Sequence, residues 1–132
     1  MRILVVANRS VATPALLGEI QRRASAAPCQ FVLLVPDAPP GRAGDWLLRH
    51  ALRLFERAAG APVEGSLARG RDPFPAVEAA LAAGRYDEVI LSTLPNWASS
   101  WVRQDLPRRV AALGVTVSVV GAAGQRDQPT PV

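Results

Sequence analysis

The chain is predicted to fold as a single α/β domain, a five-stranded parallel sheet with helices on both faces. Three observations carry that expectation. Apolar runs and stretches of helical period alternate along residues 2–120. Most of the apolar runs are nearly continuous in Val, Ile and Leu, as strands buried on both faces are. Two of the helical stretches open on a polar residue followed directly by proline, the signature of a capped helix start. Strict alternation with right-handed crossovers leaves a parallel sheet between two helical layers.

The strands are expected at residues 2–7, 30–35, about 62–68, 88–93 and 115–120. The third, Val63-Glu64-Gly65-Ser66-Leu67-Ala68, is mixed in polarity and suits a sheet edge. Thr13-Pro14 caps and opens a first helix that reaches about Ala26. A second helix is expected from a cap at Asp45 to Ala59, stopped by Gly60, with Leu48, Ala51, Phe55 and Ala58 forming its apolar stripe. Asp72-Pro73 repeats the capping signal for a third helix that ends at Gly84. The fourth, around 98–113, contains Pro107, so it is expected to break and restart with Asp105 as the new cap. Residues 36–44 read as a surface loop. Residues 121–132, rich in Gly, Gln and Pro, read as a disordered tail after a domain of residues 1–120.

Composition narrows the function classes. The chain has 132 residues, is 49% hydrophobic and lacks any apolar run near the roughly 20 residues of a membrane span. It opens on a strand-like Ile3-Leu4-Val5-Val6 without a signal-peptide pattern, and Cys29 is its one cysteine, so the expected location is cytoplasmic. Every one of the 15 basic residues is arginine. Without lysine there is no P-loop and no Schiff-base chemistry. A net charge of +4 raises the question of nucleic acid, but the arginines are spread along the sequence with acids between them, so that partner is not expected.

The most informative stretch is 87–110. There the apolar run Val89 to Leu91 ends in two hydroxyls, Ser92 and Thr93, before a proline turn and a helical segment. In an open α/β sheet such a junction is where ligands bind. Asn8, Arg9 and Ser10 follow the first strand, Val35 ends the second, and Ser99 and Ser100 lie beyond the fourth. The candidate ligand-binding set is Asn8, Arg9, Ser10, Val35, Ser92, Thr93 and Ser100, read as a small-molecule pocket. Turn and cap chemistry would place the same residue types there without a ligand.

The other chemistry-bearing residues have structural readings. Arg9, Arg69, Arg71 and Arg103 could surround an anion but are expected as surface charges. Trp97 and Trp101, one helical turn apart, are expected to pack. His50, the one histidine, sits far in sequence from any strand-end serine and offers no triad. Cys29 has no CxxC partner and is read as inert. One cysteine and one histidine are too few for a structural zinc site, and no carboxylate pair has a spacing suited to acid–base catalysis. No catalytic residue, metal or cofactor is expected.

With these elements placed, the chain resembles the universal stress protein family. The likeness covers Ile3 to about Val120. It rests on element order, the first-strand exit into a Ser-containing loop, Tyr86-Asp87-Glu88-Val89-Ile90-Leu91 and the closing Gly114-Val115-Thr116-Val117-Ser118-Val119-Val120. It implies strand order 3-2-1-4-5, a role in stress response, and a homodimer paired through the last strand, residues 115–120. ATP-binding members carry Gly-x2-Gly-x9-Gly-Ser/Thr after the fourth strand, and that spacing falls here on Ser92, Pro95, Asp105 and Leu106. Pro95 has no N–H, Asp105 repels phosphate, and Leu106 has no hydroxyl. Asn8 stands about where such members place an Asp. The expected function is therefore a non-catalytic domain that binds a small metabolite or a partner protein, and not ATP in the family manner. The alternative is a nucleotide-binding protein or weak phosphohydrolase with an altered phosphate loop.

Overall fold

The structure, a computed structural model, describes residues 1–7, 13–93 and 105–121, and the backbone of 126–127. In chain order the elements are β1 (Arg2–Val6), α1 (Pro14–Ala26), β2 (Gln30–Val35), α2 (Gly41–Ala59), β3 (Glu64–Leu67), α3 (Phe74–Ala83), β4 (Glu88–Thr93), α4 (Leu106–Ala111), β5 (Thr116–Gly121) and β6 (Arg126–Asp127). The sheet runs β3-β2-β1-β4-β5-β6. Its first five strands are parallel in the order expected, and β3 is the edge strand its mixed sequence suggested. Within the stretch 121–132, Gly121 still belongs to β5, and Arg126–Asp127 pair antiparallel with Val119 and Val120.

Alternation along the strands sorts side chains into two core layers. Ile3, Val5, Phe31, Leu33, Val35 and Ile90 face one way and pack with Leu16 and Ile20 of α1 and Ala51 and Phe55 of α2. Leu4, Val6, Leu34, Val89 and Leu91 face the other way, against Val77 of α3 and Leu106 and Val110 of α4. The apolar stripe expected on α2 is the one observed: Ala51 and Phe55 are wholly buried, with Leu48 and Ala58 half-buried beside them.

Three helix starts differ from expectation. α2 begins at Gly41 with Pro40 as its cap residue, four residues before Asp45. The Pro39-Pro40 pair has already turned the chain, and Gly44 lets that first turn sit directly on the Pro39 carbonyl, where a side chain would collide. Asp105 precedes α4 but makes no side-chain cap bond; its backbone is left-handed (φ 55°), and its carboxylate turns instead to Arg108, 3.4 Å away. The start of α3 is shifted by one residue: its cap residue is Pro73, without a side-chain cap bond, and the Asp72 carboxylate accepts the Phe74 N–H at 3.1 Å from the position before it.

Candidate functional site at the carboxyl edge of β1 and β4

After β1 the chain goes to β2 and then β3 on one side; β4 and β5 lie on the other. The carboxyl ends of β1 and β4 are thus neighbours whose connections leave in opposite directions, which opens a crevice between them. Val6 lies opposite Leu91 in the register, and Ala7, wholly buried, donates its N–H to the Leu34 carbonyl at 3.1 Å. Leu4 to Ala7 and Val89 to Leu91 are apolar and buried, and β4 then ends in Ser92 and Thr93, both buried.

The structure separates the two hydroxyl residues. Ser92 lies opposite Val120, which belongs to the layer under α1 and α2. Thr93 therefore faces the α3/α4 side, since adjacent residues of a strand point to opposite faces. Val35 shares the α1/α2 layer with Ser92; its side chain is wholly buried, and its carbonyl accepts the Ala68 N–H at 2.9 Å. Asn8, Arg9, Ser10 and Ser100 lie outside the described residues, as do Pro95, Trp97, Ser99, Trp101 and Arg103. Arg69 and Arg71 are exposed after β3, the strand farthest from β4 on that side of the sheet.

Of the three described positions of the phosphate-loop spacing, Ser92, Asp105 and Leu106, the last two are the most informative. Asp105 holds a left-handed backbone, the conformation a glycine adopts without steric cost, while the side chain there is a carboxylate. Leu106, standing where a hydroxyl would meet phosphate, is wholly buried in the α3/α4 layer with Val110. Its packing leaves that position apolar.

Sequence reasoning missed a polar cluster at the opposite end of β4. Glu88, the first residue of that strand, is buried with its carboxylate held by both guanidinium nitrogens of Arg23 from α1. Arg23 also bonds Glu19 through Nε at 2.5 Å, Arg22 bonds Glu19 through Nη2 at 2.6 Å, and Ser118 of β5 donates its hydroxyl to Glu88. The two carboxylates hold the Arg23 guanidinium far above its ordinary range, the Glu88 bond contributing most and burial opposing it. A separation of 65 residues between Arg23 and Glu88 gave no local signal. The cluster is charge-matched and ties α1 to β4 and β5, a structural role.

His50 is exposed on α2, its ring stacked on Trp46 at 5.0 Å between centroids and 6° between planes. Cys29 is half-buried, with Sγ 3.5 Å from the Arg23 carbonyl. Among the described residues no group of three or more His, Cys, Asp or Glu side chains could hold a metal ion. No helix among them is long and apolar enough to cross a membrane.

The architecture is that of an open, doubly wound α/β protein with its crevice at the β1/β4 switch point. A solved structure of a universal stress protein in complex with cAMP is similar to it: TM-score 0.62, 16% sequence identity, covering 90% of this chain and 96% of that one. At that identity the likeness is one of fold. No protein-family model and no curated protein matches the sequence.

Proposed function

We propose that this chain is a non-catalytic, universal-stress-protein-like cytoplasmic domain that binds a small metabolite in the β1/β4 crevice and pairs with a second copy through β5. The observation that carries the ligand reading is the polar carboxyl end of a central strand whose middle, Val89 to Leu91, is apolar. Ser92 on the α1/α2 face and Thr93 on the α3/α4 face are buried hydroxyl residues at the end of β4, and fixed polar groups beside an apolar floor would select a ligand there. The similar solved structure holds cAMP, a nucleotide with one phosphate, so nucleoside monophosphates and their cyclic forms are the first ligands to test. ATP bound through a glycine loop is disfavoured by the Asp105 carboxylate and the buried Leu106 side chain.

The deciding measurement is mass spectrometry of small molecules released from the purified protein on denaturation, followed by isothermal titration with cAMP, AMP and ATP with magnesium. A released metabolite, or heat with a monophosphate but none with ATP, is the expected result. Micromolar ATP binding accompanied by hydrolysis would replace this reading with the altered-loop phosphohydrolase.

A further inference from the structure

Arginines that look evenly spread along the sequence become a stripe on the surface of α2. At 100° per residue, Arg42, Trp46, Arg49, His50, Arg53 and Arg57 fall on one side of the helix. All six are exposed. None of the four arginines makes an ion pair within 4.0 Å with a described residue. The helix has two acids: Glu56 accepts the Val63 N–H at 3.2 Å, and Asp45 is exposed beside the stripe. Arg49, Arg53 and Arg57 follow one another at intervals of four residues, about 6 Å along the axis. Like charges at that spacing repel and weaken a helix. The arginines do not stabilise the helix through one another, and a polyanion lying along the stripe would relieve their repulsion.

The aromatic pair narrows the choice of polyanion. The rings of Trp46 and His50 are nearly parallel and stacked, which fixes the indole as a platform, and Trp46 is 60% exposed. Arg49 and Arg53 join the two rings around an open depression of about 290 Å³. A flat, fixed ring beside arginines matches a base next to its phosphates, since bases stack on aromatic faces while guanidinium groups track the backbone. An acidic peptide would use the charges and leave the platform idle. A second copy of this chain would set arginines against arginines in any symmetric pairing of this face.

We infer that the exposed face of α2 is a binding site for single-stranded nucleic acid, with Trp46 stacking on a base and Arg42, Arg49, Arg53 and Arg57 contacting phosphates. The site is separate from the β1/β4 crevice and does not depend on it.

The test is fluorescence anisotropy of end-labelled oligo(dT) and oligo(U) with the full chain at several salt concentrations. Four phosphate contacts give a slope of log affinity against log salt of about −3. Trp46→Ala is expected to weaken binding roughly 5- to 100-fold and Trp46→Phe to retain most of it, as stacking on one base requires. Arg49→Glu with Arg53→Glu is expected to abolish binding and the salt slope, with an unchanged circular dichroism melt showing that the fold is intact. Absence of binding at low salt overturns the inference. So does equal binding of Trp46→Ala, or poly-glutamate competing as well as the oligonucleotide, either of which makes the stripe a docking face for acidic protein. Duplex DNA binding as tightly as the single strand also overturns it, because a paired base cannot reach the platform.

Discussion

Arg23 answers two buried carboxylates at once. Its side chain is 10% exposed, and those of Glu19 and Glu88 are 9% exposed. Removing it strands Glu88 without its counter-charge, so Arg23→Met is expected to cost about 3–5 kcal/mol in urea unfolding. Arg23→Met combined with Glu88→Met removes both members of the pair and is expected to cost less than Arg23→Met alone, since Glu19 keeps Arg22. A double variant worse than the single would show that the pair stabilises the fold outright. Asp72 gives a gentler, pH-dependent case. The Arg109 guanidinium, first, and the Phe74 N–H hold its carboxyl below the ordinary range. The unfolded chain therefore binds this proton more readily, and the contribution is present above about pH 4 and lost as the pH falls through the lower, folded value. Asp72→Asn keeps an oxygen for Phe74 and loses the charge. Its melting temperature is expected to lie below that of the natural chain at pH 6, with the gap closing as the pH falls through the folded value of Asp72.

At the scale of elements, glycines decide where helices meet their neighbours, and two of them predict opposite outcomes. Gly18 lies exposed within α1 with nothing near the position a methyl would take, so Gly18→Ala is expected to stabilise by about 0.5–1 kcal/mol. Gly44 lies in the first turn of α2, where a methyl would run into the Pro39 carbonyl and the Leu67 side chain. Gly44→Ala is expected to destabilise by about 1–3 kcal/mol despite the better helix former. Thermal melts of the two variants separate packing from propensity. The same contact explains why the start of α2 was not legible. Gly41, Arg42, Ala43 and Gly44 carry no capping signal, and their helicity comes from tertiary contact with the loop before them. The ends that were legible, Thr13 before α1 and Gly60 after α2, rest on local chemistry. The Thr13 hydroxyl accepts the Leu16 N–H at 3.4 Å, and Gly60 turns left-handed with φ 70°. Of the candidate site, the strand-end position of Ser92 and Thr93 was readable from the apolar run before them. Their placement on opposite faces follows from strand period two. The charge cluster at Glu88 depends on α1 crossing β4 and β5, which no window of sequence contains.

For the whole molecule, the parallel order β3-β2-β1-β4-β5 was legible because four of its five strands read as apolar runs, the mixed third suits an edge, and each crossover carries helix punctuation. β6 was not, for Arg126–Asp127 is two residues long in a polar stretch and gains its pairing from β5 alone. That small strand bears on assembly. β5 presents Thr116-Val117-Ser118-Val119-Val120, an apolar run with no lysine or proline to discourage pairing. β6 occupies its outer row at Val119 and Val120, the row through which the proposed homodimer would pair. The two partners compete for the same N–H and C=O groups, so loss of one favours the other. A chain lacking residues 122–132 is expected to dimerise at lower concentration than the full chain in sedimentation velocity. Thr116→Lys, adding charge to an exposed position of that edge, is expected to reverse the gain. A truncated chain with the association constant of the full one would mean that β5 is not the pairing edge. The short outer strand β3, with Glu64 and Gly65 at its start, would then be the remaining edge through which two sheets could join.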